Sequence, residues 1–105
     1  MGCKLAKIID AVEEIVPGEF AEEWDNCGIQ VGNPGWYIEK IWVALDPLPE
    51  VMAAACQADV DLVITHHPLI FKPLTAIDTT RLEGFIIQQA LDHQVAIYAA
   101  HTNLD

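Results

Sequence analysis

The 105-residue sequence has the length of one domain and can bury roughly two-thirds of its unfolded surface. It is 52% hydrophobic and 20% charged, as a folded domain is, and sixteen acids against five bases give a net charge of −11. That balance, with no Lys/Arg cluster, argues against direct nucleic-acid binding and favours attraction of divalent cations.

Leu5, Ile8, Ile9, Val12 and Ile15 recur at helical spacing with Lys7, Asp10, Glu13 and Glu14 between them. They predict an amphipathic helix that Pro17-Gly18 stops. Residues 18 to 40 read as a long structured loop with a brief strand at Ile29 to Val31 and a turn at Asn33-Pro34-Gly35. Lys40 to Leu45 is an apolar run that reads as a buried strand. Pro49-Glu50 opens a helix through Gln57, since proline suits the first turn. Asp61 to Thr65 is a second strand. Thr80-x-x-Glu83 reads as a capping box before a helix whose inward stripe is Leu82, Phe85, Ile86 and Ala90. His93 falls at the end of that helix, where the dipole favours it as a cap. Val95 to Ala100 is a third strand. The β-α-β-α-β order predicts an α/β domain with a short parallel sheet and flanking helices.

Cys3, Cys27 and Cys56 are odd in number and widely spaced, which predicts free thiols rather than disulfides or a thiolate zinc site. Apolar runs are too short to cross a bilayer, and Met1 to Ala6 has neither a signal-peptide core nor a myristoylation pattern. A cytoplasmic protein without membrane association is expected. Trp24, Trp36 and Trp42 are read as packing residues.

Ligands of open α/β sheets bind beyond the carboxyl ends of the parallel strands. Here the first strand ends in Asp46, the second in Thr65-His66-His67-Pro68, and the third in His101-Thr102-Asn103-Leu104-Asp105. Histidines and carboxylates gathered on one rim are metal-ligating types, and without thiolate they suit Zn, Mn, Fe, Co or Ni. Neighbours in a strand point to opposite faces, so His66 and His67 are expected to diverge and to suit two ions better than one. Asp105 or Asp46 would then bridge. A His-His pair at a strand end can equally cap backbone groups or line a polar loop. The glycines of Asn26 to Gly32 form neither a P-loop nor a dinucleotide fingerprint, and no nucleophile elbow is present. A catalytic thiol at Cys27, with His66 or His101 as base, has no support beyond composition.

Phe20 to Gly32 (FAEEWDNCGIQVG), Leu62 to Phe71 (LVITHHPLIF) and Ala100 to Asp105 (AHTNLD) resemble, in order, three signatures of the Nif-three-like family of dinuclear metal proteins. Val43-Ala44-Leu45-Asp46 is similar to the family's first central strand. Members are also labelled GTP cyclohydrolase I type 2-like, a label that does not fix their activity. The resemblance implies His66, His67 and Asp105 as ligands of two divalent transition-metal ions, with Asp105 bridging. It places His101 at the edge of that site, beside the ligands or facing the substrate, and Asp46 is expected in the same position. It further implies homo-oligomeric rings and metal-dependent hydrolysis of a small-molecule substrate. Family members are longer and supply a late H-x-x-x-E segment, so the resemblance is to their N-terminal part. Without that segment the expected alternative is a non-catalytic metal-binding or protein-interaction domain. Any affinity for metal is expected to be weak and to fade on acidification, because imidazoles ligate only when neutral.

Overall fold

Short apolar runs build the sheet. In the computed structural model, which describes residues 2–15, 27–70 and 72–100, the elements run as follows. They are β1 (Cys3–Lys4), α1 (Leu5–Ile15), β2 (Gly28–Val31), β3 (Tyr37–Ile38), β4 (Ile41–Ala44), α2 (Pro49–Gln57), β5 (Leu62–Thr65), α3 (Leu82–Asp92) and β6 (Ala96–Ala99). The main sheet has the order β2-β6-β5-β4. β4, β5 and β6 are parallel, with Ala44 beside Thr65 and Thr65 beside Ala99, as the β-α-β-α-β pattern requires. The expected short parallel sheet is present, and the brief strand at Ile29 to Val31 extends it: β2 joins antiparallel to β6, with a register shift between Ile29 and Val31. β1 and β3 form a separate two-residue antiparallel ladder. The expected stop at Pro17-Gly18, Trp24, His101 and Asp105 lie outside the described residues.

Alternation along β5 and β6 sends side chains into two cores. Val63 and Ile97 face α2 and α3, packing with Met52, Ala55, Ile86 and Ala90. Leu62, Ala96 and Tyr98 face the other way, against Leu5, Ile8, Ile9 and Val12 of α1. Val63 and Ile97 are fully buried, each contributing roughly 1.5–3 kcal/mol by removal from water. Trp42 and Trp36 pack against the first and second core respectively, as their apolar rings predict. On β4 the alternation is lopsided: Trp42 and Ala44 pack on the first core, whereas Ile41 and Val43 point out exposed.

Local chemistry explains the connections. At Asn33-Pro34-Gly35 the Asn33 carboxamide accepts the Gly35 N–H at 2.7 Å and Trp36 N–H closes the turn onto Asn33 O. Gly32 has φ 137° and its α-carbon backs onto Ala96, where a β-carbon would crowd the β6 backbone. Pro49 is in the first turn of α2. Both α2 and α3 end in the same way. Asp59 and Gln94 adopt left-handed φ, and Val60 and Val95 donate back to Ala55 and Ala90. His93 is the C-cap of α3, its Nδ1–H donating to Gln89 O at 3.0 Å.

Two expectations for α3 are corrected. Its N-cap is Arg81, not Thr80, and no side chain caps it. The Thr80 hydroxyl and N–H donate instead to Asp78 Oδ1, at 2.6 and 2.9 Å, and hold that carboxyl below its ordinary range. A charged acceptor two residues away outcompetes the helix terminus. The inward face is Gly84, Ile86, Ile87 and Ala90, with Leu82 and Phe85 exposed. Apolar residues ring the helix, so spacing alone leaves its rotation open. Gly84 settles it, because a β-carbon there would overlap the Asp78 carbonyl.

Candidate functional site

The parallel register brings the ends of β4, β5 and β6 to one rim of the sheet. Ala100 N–H still bonds Thr65 O at 2.8 Å, so the third strand reaches the rim beside the second. Asp46 and His67, 21 residues apart, meet there: His67 Nδ1–H donates to Asp46 Oδ1 at 2.7 Å. A carboxylate on Nδ1 fixes the tautomer that keeps the lone pair on Nε2, the nitrogen a metal takes.

The expected divergence of His66 and His67 is corrected. Their ring centroids are 4.8 Å apart with planes at 57°, so both project to one side. The cause is a bend after β5. His66 N–H donates to Ala44 O and His67 N–H to Leu45 O, two consecutive donors turned towards β4 where a strand would alternate them. The buried Thr65 hydroxyl stabilises the bend by donating to His67 O at 2.7 Å. Both rings are half-buried at the rim rather than sunk in the core. The divergence argument for two ions therefore falls away.

Gln30 of β2 is a positioning residue that sequence reading missed. Its Oε1 accepts Ile70 N–H at 2.9 Å and ties the segment after Pro68 to the sheet. Nothing in the spacing of Cys27 to Gly32 signals that partner, 40 residues away. Thr65, directly before His-His-Pro, could have been suspected from the habit of threonine hydroxyls to bond nearby backbone. A cavity of about 150 Å³ opens beside Asp46, lined by Pro47, Pro49, Pro68, Leu69 and Ile86 among others. A larger one, about 710 Å³, is lined by Leu69, Ile70, Pro73, Asp78, Arg81 and Gly84 among others.

Among the described residues, no group of three or more histidine, cysteine, aspartate or glutamate side chains is placed to hold a metal ion. Asp46, His66 and His67 are brought together; His101 and Asp105 lie outside the described residues. Cys56 is half-buried against the first core, and burial pushes its thiol up, the behaviour of a packing residue. No helix among the described residues is long and apolar enough to cross a membrane.

The chain is similar to known proteins in sequence and fold. The chain is 43% identical over 94 residues to a GTP cyclohydrolase 1 type 2 homolog of Listeria monocytogenes, covering 90% of this chain and 25% of that protein. It is 32% identical to the homolog of Streptomyces coelicolor, covering 97% of this chain and 36% of the relative. The chain thus spans about a quarter to a third of the curated relatives it matches. A Bacillus cereus protein related to NIF3 superposes with TM-score 0.91 at 40% identity over 98% of this chain and 28% of its own. Reduced HcgD from Methanocaldococcus jannaschii does so with TM-score 0.91 at 35% identity, over 100% of this chain and 42% of its own. Residues 3–105 match the Duf34/NIF3 (NGG1p interacting factor 3) family, and the chain belongs to it.

Proposed function

We propose that this chain supplies the N-terminal ligands of a divalent-metal centre that serves a metal-dependent hydrolase, in a reducing cytoplasm. His66, His67 and Asp105 are the ligands, with Asp105 as the bridge between two ions; Asp46 orients His67, and His101 stands at the edge of the site. The observation that carries the reading is the Asp46–His67 pair beside a second imidazole at the end of a parallel strand. Imidazole with carboxylate fits a transition-metal ion of the Zn, Mn, Fe, Co or Ni group. Such an ion supplies Lewis acidity towards the substrate and activates water. The residues named here bind and orient it. The cyclohydrolase names of the relatives support hydrolysis as the reaction class.

A second reading, a metal-binding or interaction domain without catalysis, is favoured by the acidic balance of the chain. Calorimetric titration with Zn²⁺, Co²⁺ and Mn²⁺ tests metal binding, and a hydrolysis screen on nucleotides and phosphoesters separates the readings. We expect uptake of at least one ion. His66→Ala and His67→Ala should weaken it by at least tenfold, and Asp46→Ala by about 10–100-fold, with circular dichroism unchanged. Absence of uptake, or histidine variants that bind as tightly as the parent, overturns the proposal.

A further inference from the structure

Thr65 is the last residue of β5 and is 1% exposed. A hydroxyl so far from water is costly unless it is bonded, and this one donates to His67 O at 2.7 Å. The main-chain oxygen of the same residue accepts Ala100 N–H at 2.8 Å. Across the ladder Thr65 lies beside Ala44, two residues before Asp46. The segments that carry His67 and Asp46, and the residue after β6, are thus all tied to Thr65. In a β-turn opened at His67 the His67 carbonyl would accept Ile70 N–H, but that N–H bonds Gln30 Oε1 at 2.9 Å. The Thr65 hydroxyl is the donor that meets the carbonyl instead.

We propose that Thr65 is a positioning residue for the imidazole pair: its hydroxyl, rather than its bulk, sets His67 Nδ1 on Asp46 and the His67 ring beside His66 before any ion arrives. The geometry stands by itself, and its consequence for affinity rests on the metal-centre reading above. Valine fills nearly the same volume and suits a strand as well, yet offers no donor. Without the donor the His67 carbonyl relaxes towards extended backbone, whose alternation throws successive side chains to opposite faces. The rings would then part and the 2.7 Å bond from His67 Nδ1 to Asp46 Oδ1 would open. A displacement of about 0.5 Å is enough to spoil a binding constellation. Ligands already held in place spare an incoming ion the cost of ordering them, which is how a residue that touches no metal acts on affinity. Serine keeps the hydroxyl and drops only the methyl group, so serine and valine separate chemistry from shape.

Nitrogen-15 spectra of the metal-free full chain at about pH 8, where imidazole in water is neutral, read the tautomer of each ring. The parent and Thr65→Ser should hold His67 in the Nδ1–H form. Thr65→Val and Thr65→Ala should drift to the tautomer mixture of imidazole in water. Calorimetric titration with Zn²⁺ and Co²⁺ should sort the four proteins into the same two groups, valine and alanine binding about tenfold more weakly. Val95→Ala, in the first core beyond the other end of β6, should lower the urea midpoint and leave tautomer and affinity unchanged, which a merely structural role for Thr65 would not allow. A Thr65→Val variant that keeps the parent's tautomer, a ranking that sets valine with the parent and serine with alanine, or an equal loss from Val95→Ala overturns the proposal. With the tautomer grouping intact, absence of metal uptake by the parent supports the positioning role and overturns the metal-centre reading.

Discussion

Tyr98 shows how one side chain can set a pH limit on the fold. It is buried in β6, and its hydroxyl reaches across the second core to donate to Glu13 Oε1 of α1 at 2.8 Å. Burial first, and then the Glu13 carboxylate, push the phenol far above its ordinary value near 10. A folded-state value raised in this way leaves stability intact below the unfolded value of about 10. Above it the unfolded chain releases the proton and the folded one does not, so stability falls as pH rises. Urea denaturation should therefore show little change from about pH 8 to 9 and a loss from about pH 10 upward. Tyr98→Phe should lose about 1 kcal/mol at neutral pH and flatten that alkaline decline. The histidines and Asp46 were legible as rim residues because each follows an apolar run. The side-by-side placement of His66 and His67 was not, since it depends on the Thr65 hydroxyl and on carbonyls of another strand.

At the scale of elements, the apolar runs, the helical spacing from Leu5 to Ile15 and the Pro49 start made β4, β5, β6 and all three helices legible, with the brief strand at Ile29 to Val31. What escaped was decided by competition between near neighbours. Thr80 had a helix end and a carboxylate to choose between, and the charged acceptor won. The two-residue strands β1 and β3 have no periodicity to read, and the pairing of β2 with β6 is a long-range event. The ends of α2 and α3 pass through left-handed residues that are not glycine, Asp59 and Gln94. A side chain there crowds the following carbonyl at a cost of about 1–2 kcal/mol, partly offset by the extra chain entropy glycine would lose. Gln94→Gly should thus stabilise the protein by about 0.5–1 kcal/mol, and Gln94→Val should destabilise it, as read from urea midpoints.

For the whole molecule, charge is the adjustable quantity. Sixteen acids on 105 residues repel one another in the compact state more than in the unfolded chain. The Arg81–Asp78 ion pair is well exposed, so screening it loses little. Added monovalent salt should therefore stabilise the fold, by about 0.5–1 kcal/mol between low and physiological ionic strength, or roughly 3–8 °C in Tm for a chain of this size. The acidic balance was fully legible. Which carboxylate meets which imidazole was not, because composition cannot pair Asp46 with His67 across 21 residues.

The pairing of β2 with β6 also bears on how the protein is made. Gly28 lies beside Ala99, roughly seventy residues later in the chain. At a synthesis rate of about 5–20 residues per second, β2 leaves the ribosome some 4–14 s before its partner exists. During that interval it is a nascent strand with two open sides. Its glycine ends and the irregular register between Ile29 and Val31 make it a poor template for a wrong strand, and so the same features that bend the finished sheet protect the unfinished one.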